Sequence, residues 1–258
     1  MIKQNYLIKF FKKIGLKNGD TVFVASDIVS LIIFFKKKKL NLDLKFFTDS
    51  LIETVGNNGT LLFPTFNWGF CSGKIFNIKK TPSKCGALTN YVLKRDDFLR
   101  TKHPIYSFVV YGKKKKFFCN LENKDAWDKK SPFHYMYKKK AKNLFIGIDY
   151  KKAFTMDHYF EQICEVNYRY KKSFRSKYVG YDGEKKIKNF SMLVRNTKIC
   201  DDTKISPKLD IILKRNKAFK KIKMFNTNFT IIDIYKAGKI IIKDLKKNRE
   251  LIYPVKYS

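Results

Sequence analysis

His158 and Glu161, three residues apart in Thr155-Met156-Asp157-His158-Tyr159-Phe160-Glu161, are the side chains in this sequence best suited to acid–base chemistry. On a helix, an i, i+3 spacing puts both groups on one face, where they can touch. A carboxylate beside an imidazole fixes its tautomer and stabilises the imidazolium, which is what a general base requires. The chain has only three histidines, so few other groups titrate near neutral pH. His134, after Ser131-Pro132, fits no catalytic pattern. Taken alone, the His158/Glu161 pair suits a solvated polar contact equally well, and its meaning depends on the elements around it.

Those elements read as alternating strands and helices. Tyr6, Leu7, Phe10, Phe11 and Ile14 are spaced for an amphipathic helix over the block that starts at Lys3. Thr21–Ala25 reads as a buried strand. Leu44–Val55 reads as a helix ended by Gly56, and Thr60–Phe63 as a strand stopped by Pro64. A helix is expected from a Ser83 cap to Arg95, and strands at Ser107–Gly112 and Leu144–Ile148, the last feeding the His158 helix. Beyond Lys186, Phe229–Ile234 and Lys239–Ile242 read as short β runs. Alternation with apolar strands predicts an α/β layered fold. The chain is expected to form one domain over residues 1–258, with a more variable C-terminal part from about residue 184.

Composition narrows the function. Hydrophobic residues make up 44% and aromatics 16%, which excludes a disordered chain despite the heavy charge. The longest apolar run, Ile28–Phe35, is far short of the roughly 18 residues of a membrane helix, and the first residues do not read as a signal peptide. Five scattered cysteines with no C-x-x-C pair suggest reduced thiols in the cytoplasm, without a zinc site. Cys85 sits near an expected helix start, where a thiolate would be favoured, and equally suits a small buried position.

A net charge of +34 raises a second class of function, a basic nucleic-acid-binding protein without catalysis. Only seven of the 56 cations are arginine, the residue whose planar fork suits phosphates and base edges. Lysine runs such as Lys36–Lys39 and Lys113–Lys116 fit a solvated face, and no nucleic-acid motif accompanies them. Neither a specific nucleic acid nor a membrane is expected as partner. Binding that falls steeply with salt, without catalytic turnover, would mark that class.

Several blocks keep a recognisable order: Gly59-Thr60-Leu61-Leu62-Phe63-Pro64-Thr65-Phe66, Thr81-Pro82-Ser83-Lys84-Cys85-Gly86, Arg100-Thr101-Lys102-His103-Pro104-Ile105-Tyr106-Ser107, Ser131-Pro132, Leu144-Phe145-Ile146-Gly147-Ile148 and the His158/Glu161 segment. From about Gly19 to Gly183 this order resembles the aminoglycoside 3-N-acetyltransferase family, with little to match beyond. The resemblance implies a layered α/β/α sandwich and an acetyl-CoA-dependent N-acetyltransferase, with His158 and Glu161 as its catalytic base and acetyl-CoA as cosubstrate without a metal. It also implies direct attack in a ternary complex. It assigns Ser26, Ser30, Thr65, Arg100, His103, Ser107 and Thr155 to the CoA site, with Arg100 and His103 positioning their loop. Asp157 and Trp68 are expected to face the acceptor. Where the family usually carries a glycine pair after its serine-rich loop, this chain has Leu31-Ile32-Ile33, so a phosphate cradle of glycine amides is not expected there.

The acceptor implied by the family is a small-molecule amino sugar. A +34 surface repels polycations such as aminoglycosides and attracts anions. A nucleotide-linked (dTDP- or UDP-) amino sugar for surface polysaccharide is therefore the expected acceptor, and an aminoglycoside the alternative.

Overall fold

A strand points successive side chains to opposite faces, and the central apolar runs use both. Val22 and Val24 enter one buried cluster, whereas Phe23 and Ala25 enter another on the opposite side of the same strand. Such two-sided burial belongs to a sheet covered on both faces.

The computed structural model describes residues 4–247 and 249–257; Lys3, in the first expected helix, lies outside them. Along the chain run α1 (Gln4–Ile14), β1 (Thr21–Ser26), α2 (Val29–Lys37), α3 (Leu44–Val55), β2 (Thr60–Pro64), a 3-10 turn (Trp68–Ser72), β3 (Phe76–Asn77), α4 (Ala87–Val92), β4 (Leu99–Arg100) and β5 (Phe108–Gly112). Next come α5 (Lys115–Asn120), α6 (Pro132–Lys138), β6 (Lys142–Ile146), α7 (Tyr150–Ala153), α8 (Met156–Ile163), β7 (Arg169–Val179) and β8 (Lys185–Arg195). The chain closes with β9 (Asp202–Ile205), α9 (Lys208–Arg215), β10 (Phe219–Met224), β11 (Thr227–Asp233), α10 (Ile234–Leu245) and β12 (Ile252–Val255).

Seven strands form the main sheet in the order β10-β11-β6-β1-β2-β5-β4. Only the central three, β6, β1 and β2, run parallel to one another; every other neighbour is antiparallel. Helices α1 to α4 cover one face and α6, α8, α9 and α10 the other, giving the α/β/α layering expected from the sequence. The eleven-residue strands β7 and β8 pair as a long hairpin, which the sequence did not announce.

Local rules explain most boundaries. Asp43 caps α3 by accepting from Phe46 N at 3.0 Å, and Gly56 ends it at a φ of 62°. The helix expected from Ser83 starts only at Ala87, because Ser83 Oγ accepts from Cys85 N in a loop and Gly86 turns the chain at a φ of 102°. The run Lys239–Ile242, expected as a strand, lies inside α10. Ile234, Ala237, Ile241 and Leu245 recur at helical spacing and are buried, so the longer period prevails over the β-branched residues.

Gly147, just after β6, holds the site's two loops together. Its φ is 70°, and a Cβ there would fall 2.0 Å from the carbonyl oxygen of Asp27, just after β1. Asp27 N in turn donates to Ile146 O at 2.8 Å. Replacing Gly147 with Ala is expected to destabilise the protein by about 1–3 kcal/mol, with a lower urea midpoint at unchanged m-value.

Candidate active site

The parallel strands β6, β1 and β2 end together, and the connections leaving β1 and entering β6 lie on opposite faces of the sheet. A crevice opens at such a switch point. Here it is a cleft of about 620 Å³ whose walls include Ala25, Ser26 and Asp27 after β1, Phe66 after β2 and Ile148 after β6. A second, more polar cleft of about 830 Å³ carries Asp157, Arg169, Arg195, Asp202 and Lys204. Lys152, Ala153, Thr155 and His158 line both. The imidazole therefore stands where the two clefts meet.

Helix α8 places it there. Met156, Tyr159 and Phe160 face the core, which turns His158 toward the clefts. His158 Nδ1 lies 2.9 Å from Glu161 Oε2, on the face that the i, i+3 spacing predicts. A proton on Nδ1, donated to that carboxylate, leaves the Nε2 lone pair free to act as a base. Asp157 Oδ1 is 3.2 Å from the same Nδ1 and accepts from His158 N at 2.7 Å.

Glu161 is fully buried, and three groups hold it. Besides His158, Tyr168 Oη donates to its Oε1 at 3.1 Å, and Arg169 Nε lies 2.7 Å from its Oε2 in ion-pair contact. Burial opposes its charge, but the His158 hydrogen bond, the Arg169 charge and Tyr168 together keep its carboxyl below the ordinary range. Arg169 is anchored in turn by Thr203 Oγ1 at 3.0 Å. Asp157 behaves oppositely: burial, with Glu161 adding repulsion, raises its carboxyl to about 6. Tyr168 and Arg169 went unnoticed in the sequence, although they follow Glu161 by only seven and eight residues at the start of β7.

Four residues assigned to CoA are placed elsewhere. Thr65, Arg100, His103 and Ser107 are all buried and line neither cleft. Arg100 Nε donates to Ser107 Oγ at 3.0 Å, its Nη2 to Thr65 O at 2.8 Å and its Nη1 to Thr81 O. The guanidinium also lies over the Phe76 ring at 4.8 Å. Ser107 Oγ closes the set by donating to Thr65 O at 3.0 Å. His103 Nδ1 accepts from Tyr106 N at 3.1 Å, and burial lowers its imidazole to about 4, so it stays neutral. Arg100, Ser107 and the Thr65 carbonyl bond to one another and to backbone, and His103 Nδ1 accepts from Tyr106 N, which together fix the loop that carries Tyr106.

The remaining residues divide. Ser26 and Thr155 line the first cleft, and Thr155 reaches the second. Ser30 is exposed on α2 and lines neither. Asp157 lines the second cleft. Trp68 lines the first, where its Nε1 donates to Tyr106 Oη at 3.4 Å. Asp27 Oδ1 accepts from Val29 N at 3.0 Å, so a carboxylate occupies the N-terminus of α2 where a phosphate would otherwise sit. Cys85 lines the first cleft, and burial raises its thiol, so the thiolate is disfavoured. His134 Nδ1 pairs with Tyr159 Oη at 2.9 Å, away from both clefts. Among the described residues no His, Cys, Asp and Glu cluster could hold a metal, and no helix is long and apolar enough to cross a membrane.

Comparison with known proteins agrees with this fold. Three similar solved structures are a room-temperature structure of sisomicin-bound AAC-VIa, AAC-IIIb in a binary complex with CoASH, and the YokD protein from Bacillus subtilis. The first is 17% identical with a TM-score of 0.78, covering 95% of this chain and 98% of that one. The second is 15% identical with a TM-score of 0.76, covering 100% and 99%. The third is 20% identical with a TM-score of 0.74, covering 95% and 93%. At such identities they establish the fold. No curated protein matches the sequence. The family model for aminoglycoside 3-N-acetyltransferase matches residues 38–246. That match continues well past Gly183, where the sequence motifs end, and leaves Ser26 and Ser30 outside it. Spanning most of the residues, it shows that the chain belongs to the aminoglycoside 3-N-acetyltransferase family, whose members are acetyl-CoA-dependent N-acetyltransferases.

Proposed function

We propose that the protein N-acetylates a primary amine of an amino sugar, with His158 as general base and Glu161 as the group that orients it. One observation carries this reading: the imidazole sits at the junction of two clefts with Nδ1 held by a buried carboxylate. The first cleft fits the pantetheine arm of acetyl-CoA. Its walls are largely apolar, with Phe23, Ile28 and Phe66 among them, and Lys84 and Lys152 supply cations for phosphates in place of the α2 N-terminus. Acetyl-CoA supplies an activated acyl carbon and a thiolate leaving group. The second cleft receives the amine. Nε2 of His158 accepts a proton from the attacking nitrogen, and Glu161 and Asp157 stabilise the resulting imidazolium. Donor and acceptor meet from opposite sides of one residue, which suits direct attack in a ternary complex. The whole chain acts as one domain in this reading, and its five free cysteines fit a reducing cytoplasm.

For the acceptor, an aminoglycoside is the reading the family favours, supported by the sisomicin bound to AAC-VIa. A specific observation supports a second, a nucleotide-linked amino sugar. Lys151, Lys152, Lys204, Arg169 and Arg195 line the second cleft with Asp149, Asp157 and Asp202; Glu161 offsets Arg169 and Asp210 offsets Lys151, which leaves no surplus of carboxylates of the kind a polycation would need. Thiol release from acetyl-CoA should be measured against both classes at low and high ionic strength. Turnover of an aminoglycoside is expected at both salts. A nucleotide-linked sugar that is preferred at low salt, with the preference shrinking as salt screens the lysines, would move the assignment to the second reading.

Two substitutions examine the machinery. His158→Gln is expected to lower kcat by about 10²- to 10⁴-fold while leaving CoA affinity and the thermal midpoint nearly unchanged. Near-wild-type kcat would place the base elsewhere.

Asp157→Asn should separate stability from activity. The folded pKa of about 6 lies above the ordinary 3.8, so the ionised carboxylate is disfavoured in the folded state at neutral pH. The variant is therefore expected to be more stable than wild type by about 1–3 kcal/mol near pH 7, an advantage that fades as pH falls through 6 toward 4. Its kcat/KM for the amine should fall. Denaturant melts across that range, beside initial rates, would read both changes.

A further inference from the structure

Attack of an amine on a thioester moves the carbonyl π electrons onto oxygen, and a donor must meet that charge. We propose that the Tyr106 hydroxyl is that donor, a catalytic residue in the first cleft, an inference that rests on the acetyl-transfer reading above. Tyr106 lines the same cleft as His158 and Thr155. Its oxygen accepts from Trp68 Nε1, and among the described residues no protein acceptor takes its own proton. That proton is available to a ligand, and the Trp68 bond polarises the hydroxyl toward donating it. Thr155 Oγ1, one of the other hydroxyls of this cleft beside Ser26, points to Ala153 O at 3.5 Å.

The ring is fixed from several sides. Tyr106 N donates to His103 Nδ1, and the next residue, Ser107, belongs to the Arg100 set. Trp127 packs on Tyr106 with ring centroids 4.6 Å apart and on His158 at 5.1 Å. Hydroxyl and imidazole are thus held against one common indole. Burial pushes the phenol up to about 12, so it keeps its proton over the working range.

In the reaction the amine nitrogen bonds to the acyl carbon, its proton passes to His158, and the carbonyl oxygen gains charge while accepting the Tyr106 hydrogen bond. Tyr106 keeps its proton throughout. Collapse restores the carbonyl, breaks the carbon–sulfur bond, and returns the proton from His158 to the departing thiolate.

Tyr106→Phe deletes only the oxygen. Its kcat is expected to fall about 10²-fold, with KM for acetyl-CoA and CoA affinity within about threefold of wild type. Raising pH toward the pKa of the acceptor amine should restore part of the activity of His158→Gln and none of that of Tyr106→Phe, because free amine bypasses a base but not an oxyanion donor. Trp68→Phe, which keeps the Tyr106 proton but removes its polarising partner, should lower kcat about 3- to 10-fold. A Tyr106→Phe enzyme with kcat within about threefold of wild type overturns the proposal, as does a loss confined to KM or CoA binding. Should Tyr106→Phe fail to fold by circular dichroism, an unchanged kcat in Trp68→Phe overturns it instead. Loss of activity in His158→Gln with Tyr106→Phe unaffected would sink the donor while leaving the acetyl-transfer reading intact.

Discussion

The buried carboxylate of Glu161 is the constraint on which the site depends. A carboxylate removed from water is tolerated only when it is hydrogen-bonded and its charge is met, and here His158 and Tyr168 supply the hydrogen bonds and Arg169 the opposite charge. Each partner comes from a different requirement of the fold. His158 shares a helix face with Glu161, Tyr168 is core, and Arg169 opens the long hairpin and reaches Thr203 on the C-terminal side. Orienting the base and docking the hairpin are one electrostatic problem with one solution. Removing the charged partner, Arg169, from such a buried ion pair typically costs about 3–5 kcal/mol, so the carboxylate that orients the base also docks the hairpin.

A second rigid set works at a distance. Arg100, Thr65, Ser107 and His103 sit below the first cleft and bond mainly to backbone. A charged guanidinium with carbonyls and a hydroxyl in place of a carboxylate is an unusual thing to bury. Its geometry explains it, because one planar group ties the loop after β2, the loop before α4 and the end of β4 into a single block. Gly147 does the same for the loops after β1 and β6 by letting two backbones touch. The cleft walls are therefore positioned by the interior, with little left to loop mobility.

How much of this could be read in the sequence follows from the range of each interaction. The His158/Glu161 contact is local to one helical turn, so spacing alone predicts it. The strands around Val22, Leu61 and Leu144 declare themselves by continuous apolar character, and the layered fold follows. Arg169 was invisible because nothing in a chain of lysines marks one arginine as facing inward. For Arg100 and Ser107 the motif marked importance, but whether such a group meets a ligand or a carbonyl depends on which way its loop folds. Ile240 to Ile242 misled because three β-branched residues favour a strand locally, while the buried positions four residues to either side were set by packing on the core.

The edges of the seven-stranded sheet carry a consequence of their own. An open edge offers unpaired backbone groups to any other extended chain, and long apolar edges nucleate aggregates. At one end β4 is only two residues long. At the other, β10 carries Lys220, Lys221 and Lys223, all exposed and divided between its two faces. An approaching strand would have to bury or neutralise those ammonium groups before a ladder could grow. The lysine bias that says so little about what this protein binds is also what keeps its sheet finite.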